Sequence, residues 1–164
     1  MSSRKQAGFT MVELIVVIVI LGILAAVALP RFMGLEKEAR IAALKSMGGT
    51  VMSAAEMAHG VCMAQNCGNA STVISLNGVS VTFVNTYPNA ATIAALIQST
   101  EGFSVAAGAF TKTGAATTAC KVTYNPATFA AATGVVTPPT LTYNTTVMSS
   151  GTEGTINTNL RVVC

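Results

Sequence analysis

The chain has 164 residues, a length that fits one domain. Hydrophobic residues make up 51% and charged residues only 9%, against about 25% charged in an average soluble domain, which excludes a disordered chain. Net charge is +3, from 9 Lys and Arg against 6 Glu with no Asp; with Arg4 and Lys5 set aside no basic patch remains to suggest nucleic-acid binding, and one His leaves little material for a metal or hydrolytic centre.

The apolar excess peaks between Phe9 and Leu29, FTMVELIVVIVILGILAAVAL, where the only charge is Glu13. As a helix this run spans about 31 Å, roughly the hydrocarbon core of a bilayer. Arg4 and Lys5 precede it, and Arg31, Lys37 and Arg40 follow it, so the positive-inside count is ambiguous. The short N-terminal side and the downstream cysteines favour a cytoplasmic N-terminus. Two readings follow. One is an ordinary secretory signal, with a cut after Ala28 in Ala26-Val27-Ala28. The other puts the cut between Gly8 and Phe9, where glycine lets a protease approach the backbone. The apolar helix then stays in the mature chain, and Phe9 carries a free amino group. Glu13 lies one helical turn further on. A carboxylate in an apolar surround costs several kcal/mol unless paired, so a new α-amino group, its own or a neighbour's, is the natural partner. The plainer role for Glu13 is an anion tolerated at a helix start.

The helix is predicted to continue past Pro30, which removes one backbone hydrogen bond and kinks the axis. Leu44, Met47, Val51, Ala54, Ala58 and Val61 then recur at helical spacing as an amphipathic stripe. Glu36, Lys37, Glu38, Arg40 and Lys45 surround it as a solvated face with i,i+4 pairs. Gly48-Gly49 weakens the helix by roughly 2 kcal/mol relative to Ala-Ala and reads as close packing or a bend; no phosphate-loop pattern is present.

Residues 72–84, TVISLNGVSVTFV, place Asn77-Gly78 between two alternating runs, a strong hairpin signal. Pro88 marks a loop and 91–99 a short helix. Residues 119–124, 140–148 and 155–163 alternate and read as strands, with Pro138-Pro139 before the second. The Ala/Thr/Gly bias at 115–119 and 130–134 implies a thin core.

Cys62, Cys67, Cys120 and Cys164 allow three pairings in an oxidising compartment. Cys62–Cys67, which is local, and Cys120–Cys164, which ties the last residue back, are favoured; the second restricts the unfolded chain by roughly 4 kcal/mol. Zinc held by His59, Cys62 and Cys67 is the rival, but the spacing lacks a CxxC pair. No nucleophile–base pair and no GxSxG, HExxH or GxGxxG pattern appears, so no catalytic residue, metal or cofactor is expected.

A short basic leader ending in Gly8, followed by FTMVELIVVIVILGILAAVALP, resembles the N-terminus of type IV pilins and the related pseudopilins. The likeness covers about residues 4 to 45. It implies cleavage by a prepilin peptidase between Gly8 and Phe9, with N-methylation of the new terminus. It also implies that Glu13 pairs with the terminal amine of a neighbouring subunit, and that Gly22 and Pro30 bracket a helix segment that loosens in filaments. PRFMGLEKEARIAALKSMGG, NTYPNAA at 85–91 and CKVTYN at 120–125 look like the mannose-sensitive haemagglutinin (MSHA) type of pilin. Met11-Val12 stands where many relatives carry Leu-Ile, and the pair Cys62 and Cys67 is not a general pilin feature.

The expected fold is therefore α+β, a long N-terminal helix packed on a small antiparallel β-sheet head. Its expected segments are a removed leader (1–8), a hydrophobic helix serving as membrane anchor and filament core (9–30), an amphipathic half-helix (31–61) and a disulfide-bonded head (62–164). The resemblance implies a helical homopolymer that begins as a single-pass inner-membrane precursor and becomes an extracellular pilus for attachment. Its implied partners are a prepilin peptidase and N-methyltransferase, an inner-membrane platform, assembly and retraction ATPases, an outer-membrane secretin and minor pilins. The alternatives are a pseudopilin of a type II secretion system and a secreted binding domain released after Ala28.

Overall fold

A computed structural model describes residues 9–68, 71–144, 146–147 and 153–164. One helix, α1, runs from Met11 to Ala64 and passes through Pro30 without a break. By packing the chain divides into two units, residues 1–37 and 38–164. In the first, every described side chain from Phe9 to Leu35 is exposed apart from half-buried Ala28. The helix extends three residues beyond the boundary expected at 61, so Cys62 sits in its last turn.

The second unit follows the α+β expectation. Two strands, β1 (Thr72–Leu76) and β2 (Val79–Val84), form the predicted hairpin with Leu76 opposite Val79. Its turn residues, Asn77 and Gly78, both have positive φ, 48° and 83°, as a two-residue type I′ turn requires. A second two-residue turn, Asn85-Thr86, leads to β3 (Tyr87–Pro88), an edge strand where a loop was expected; an edge is where a sheet accepts proline. The short helix expected over 91–99 is a single 3-10 helix, Ile93–Leu96.

Next come β4 (Phe103–Ala106), β5 (Ala109–Lys112), β6 (Lys121–Asn125), β7 (Thr128–Ala130), β8 (Val135–Thr137), β9 (Thr140–Tyr143) and β10 (Thr146–Val147). Strands β10-β9-β6-β5-β4 form an antiparallel five-stranded sheet, and among the described residues β7 and β8 pair only with each other. The strand expected over 140–148 is divided at Asn144, whose φ of 55° turns the chain.

Residues 155–163 are not a strand. They belong to a second helix, α2 (Glu153–Val163), and Cys164 follows it. Ile156 and Leu160 are its buried residues; a spacing of four puts both on one helix face, whereas strand alternation would bury 156 and 158. Glu153 in the first turn and Arg161 in the last complement the helix dipole. Lys45 Nζ meets Glu153 Oε1 at 2.9 Å, and Arg161 Nε meets Glu38 Oε1 at 2.8 Å, so α2 is tied to α1 at both ends. Both pairs are well exposed and guide position more than they stabilise.

The main core joins one face of α1 to the five-stranded sheet and α2. Ile41, Leu44, Met47, Val51 and Ala55 pack with Phe110, Val122, Tyr124, Leu141, Tyr143, Ile156 and Leu160. Full burial of a side chain of this size stabilises by about 1.5–3 kcal/mol. The buried stripe departs from the expected one at its end, where Ala55 and Cys62 are buried and Ala54 and Val61 are not. The buried positions keep heptad spacing in two series, 41, 48, 55, 62 and 44, 51, 58, and the expected positions 54 and 61 fall on the flank of that face.

The two adjacent glycines separate in role. A Cβ at Gly48 would overlap the Tyr143 hydroxyl and press on Leu141, whereas one at Gly49 meets nothing. Gly48→Ala should therefore destabilise the head by about 1–3 kcal/mol through overpacking, while Gly49→Ala stabilises it by about 1 kcal/mol through helix propensity. Urea unfolding of the two variants of the full chain in detergent measures both; shifts of the same sign would contradict the assignment.

Burial also pushes the phenols of Tyr87, Tyr124 and Tyr143 up, with Glu56 adding to the first two. Their folded pKa values lie above the unfolded value near 10. The stability they contribute is complete below that value and is lost as the pH rises above it. The urea midpoint should fall between about pH 9 and about pH 11; an unchanged midpoint would show that these rings are not buried.

Candidate assembly surface

The first unit offers an apolar surface with one polar device at its tip. An 18-residue window of α1 has a mean hydropathy of 3.1 with none of it buried, long and apolar enough to cross a membrane. Phe9 is 92% exposed. Gly22 and Pro30 lie further along the same helix, and a Cβ at Gly22 would meet nothing. Gly8 lies outside the described residues.

At the start of α1, the Thr10 backbone N–H donates to Glu13 Oε2 at 2.9 Å, and the Thr10 hydroxyl donates to the same oxygen at 2.8 Å. The Glu13 N–H donates back to Thr10 Oγ1 at 3.3 Å. This is a capping box, in which two side chains satisfy N–H groups that the helix cannot. Sequence reasoning missed Thr10, although Thr10-Met11-Val12-Glu13 before an apolar run is its signature. The geometry holds the Glu13 carboxylate at the Thr10 backbone N–H, one residue from Phe9. An ammonium group there would meet an anion already held in place by two hydrogen bonds.

The cysteines join in two pairs, Cys62 with Cys67 and Cys120 with Cys164, with Cα–Cα distances of 5.2 and 4.8 Å. The first closes the end of α1, where the Cys67 N–H donates to Cys62 O at 3.0 Å and Asn66 has a φ of 53°. That pattern is a helix stop in the left-handed region. The second holds α2 to the start of β6, assisted by Thr117 Oγ1 donating to Val163 O at 3.0 Å.

Zinc at His59, Cys62 and Cys67 is incompatible with this pairing. Among the described residues no three His, Cys, Asp or Glu side chains cluster to hold a metal. His59 stacks on Tyr87 with ring centroids 4.0 Å apart, and its Nδ1 lies 3.0 Å from Thr86 O. It is a satisfied packing residue.

Comparison with known proteins agrees with the N-terminal reading. Residues 3–29 match the family described as the prokaryotic N-terminal methylation motif. The chain is similar to type II secretion system core protein G of Pseudomonas aeruginosa, 40% identical over 57 residues that make up 35% of this chain and 40% of that protein. It is similar to the protein of the same name from Aeromonas hydrophila, 54% identical over 39 residues, 24% of this chain and 27% of the relative. It is also similar to type IV narrow pilus major component PilA5 of Thermus thermophilus, 46% identical over 50 residues, 30% of this chain and 43% of the relative. Each alignment spans less than half of the curated relative it matches. No solved structure matches the chain. The motif and both kinds of relative support the type IV pilin family, taken broadly to include the type II secretion pseudopilins.

Proposed function

We propose that this chain is the structural subunit of a type IV pilus of the MSHA-like kind, polymerising into surface filaments for attachment. The observation that carries the reading is an exposed apolar helix surface with a single carboxylate at its start, inside a methylation motif. Residues 1–8 are the leader, cut between Gly8 and Phe9 by a prepilin peptidase that also methylates the new terminus. Residues 9–30 anchor the subunit in the inner membrane and then form the filament core. Residues 31–61 continue the helix, and 62–164 form the outward head.

Leaving the bilayer for a bundle of identical helices keeps the apolar surface out of water throughout. Glu13 paired with the Phe9 amine of a neighbour sets the stagger between subunits, and Gly22 and Pro30 let the helix loosen between them. A platform protein, assembly and retraction ATPases, a secretin and minor pilins complete the apparatus, and the work of assembly comes from them.

A second reading, a pseudopilin of type II secretion, is favoured by the names of two of the three relatives. Deleting the gene separates the two. Loss of filaments from material sheared off the cell surface supports the pilus; intact filaments with loss of a secreted protein from the medium support the pseudopilin.

A further inference from the structure

Two surface features of the head present apolar side chains to solvent. The first is the β7–β8 hairpin. From Thr128 to Pro138 every residue is exposed except half-buried Val136, and Phe129 and Val135 are 43% and 55% exposed. The hairpin pairs with neither larger sheet. An isolated two-stranded hairpin is marginal in water at best, and this one displays apolar side chains. Its turn is nonetheless defined, with the Thr133 and Gly134 N–H groups both donating to Ala130 O at 3.1 and 2.8 Å. Its base is anchored where Asn85 Nδ2 donates to the buried Ala127 carbonyl at 3.0 Å.

The second feature is a groove of about 640 Å³ between the C-terminal turns of α1, the β1–β2 turn and the 3-10 helix. Met57, Ala58, Val61, Leu76, Leu96 and Ile97 give it an apolar surface, and none of its lining residues is charged. Met57 stands at its edge, 76% exposed.

We propose that the β7–β8 hairpin of one copy inserts Phe129 into this groove on a second copy. The electrostatics match: the chain carries no charge anywhere from Val122 to Thr152, so the hairpin brings no charge that an uncharged apolar groove would have to desolvate. The groove volume lies within the range of about 300–1,000 Å³ typical of clefts that bind an apolar group. The topology also matches. Hairpin and groove are different patches, one off the five-stranded sheet and the other beside α1. A contact between unlike patches is head-to-tail, and when it does not close into a ring it propagates as an open helical filament. The hairpin alone is too small for a stable dimer, which buries about 800 Å² on each side. It sets register among subunits whose apolar helices supply the bulk of the association. The inference rests on the reading that the chain polymerises.

The test is pairwise cross-linking of the full chain in assembled material. Met57→Cys and Phe129→Cys are made singly and together, and a short bismaleimide is added without reductant so that the native disulfides stay closed. Both positions are exposed, and an unchanged native disulfide map confirms the fold. The double variant should give a ladder of covalent dimers, trimers and longer species, and neither single variant should cross-link. Phe129→Glu should reduce the sheared polymer at least tenfold, and Phe129→Leu should restore it. Polymer that forms normally but gives no ladder would overturn the hairpin contact and leave the pilin reading standing. Dimers from either single variant alone would overturn the head-to-tail arrangement. A wild-type chain that never polymerises would remove the pilin reading and this contact together.

Discussion

Glu13→Gln should abolish polymer formation while leaving the head folded and the chain in the membrane. Glutamine keeps the cap and loses the charge. At the third helical position Gln still completes a capping box with Thr10, so the bonds from Thr10 to the side chain at 13 have an uncharged substitute. What Gln lacks is the anion. If Glu13 pairs with the Phe9 amine of a neighbour in an apolar bundle, losing the charge leaves an ammonium group unpaired there at a cost of several kcal/mol. Each 1.4 kcal/mol is a factor of ten, so the yield of sheared polymer should fall at least tenfold. Glu13→Val removes the cap as well and should be no better than Gln. If Gln assembles like the wild type and Val does not, Glu13 serves only as a helix cap.

The second large effect belongs to the head. Breaking Cys120–Cys164 with paired serines should lower its stability by about 4 kcal/mol. The bond closes a separation of 44 residues, and the chain-entropy model scales with the logarithm of that loop. Such a loss is a large part of a domain stability of about 5–15 kcal/mol and shifts the melting temperature on the order of 15 °C. Cys62–Cys67 spans only 5 residues, so its loss should cost about 2 kcal/mol. The asymmetry has a local cause too. Without the long-range bond, α2 is held by Ile156 and Leu160, by two exposed ion pairs and by the Thr117 hydroxyl on Val163 O; without the short one, the helix stop keeps its backbone hydrogen bond. Thermal unfolding of the two serine pairs in detergent gives the ratio, and equal shifts would contradict it.

Residues 9–64 were legible because their signals are local and redundant. A long apolar run and a helical stripe both point one way, and Pro30 and Gly48-Gly49 within the helix do not outweigh them. Asn77-Gly78 was legible because the turn type dictates its residues. The 155–163 segment misled because Thr155, Ile156, Thr158, Val162 and Val163 favour strands by propensity, and tertiary contacts override that preference. Only Ile156 and Leu160, packed on the core, choose the helix. The strands β4, β5, β7 and β8 went unseen because each has only three or four residues, too few for alternation to register. At the site, the apolar surface and Glu13 are legible from composition, whereas the role of Thr10 lies in reciprocal hydrogen bonds with Glu13.

The central claim is that the chain is processed before Phe9 and assembles outside the cell with its apolar helix retained. The most direct measurement is the non-reduced intact mass of the protein sheared from the cell surface. The account predicts a chain that begins at N-methylated Phe9 and is lighter by four hydrogens, two for each disulfide. A mature chain beginning at Leu29, without the apolar helix, would contradict it.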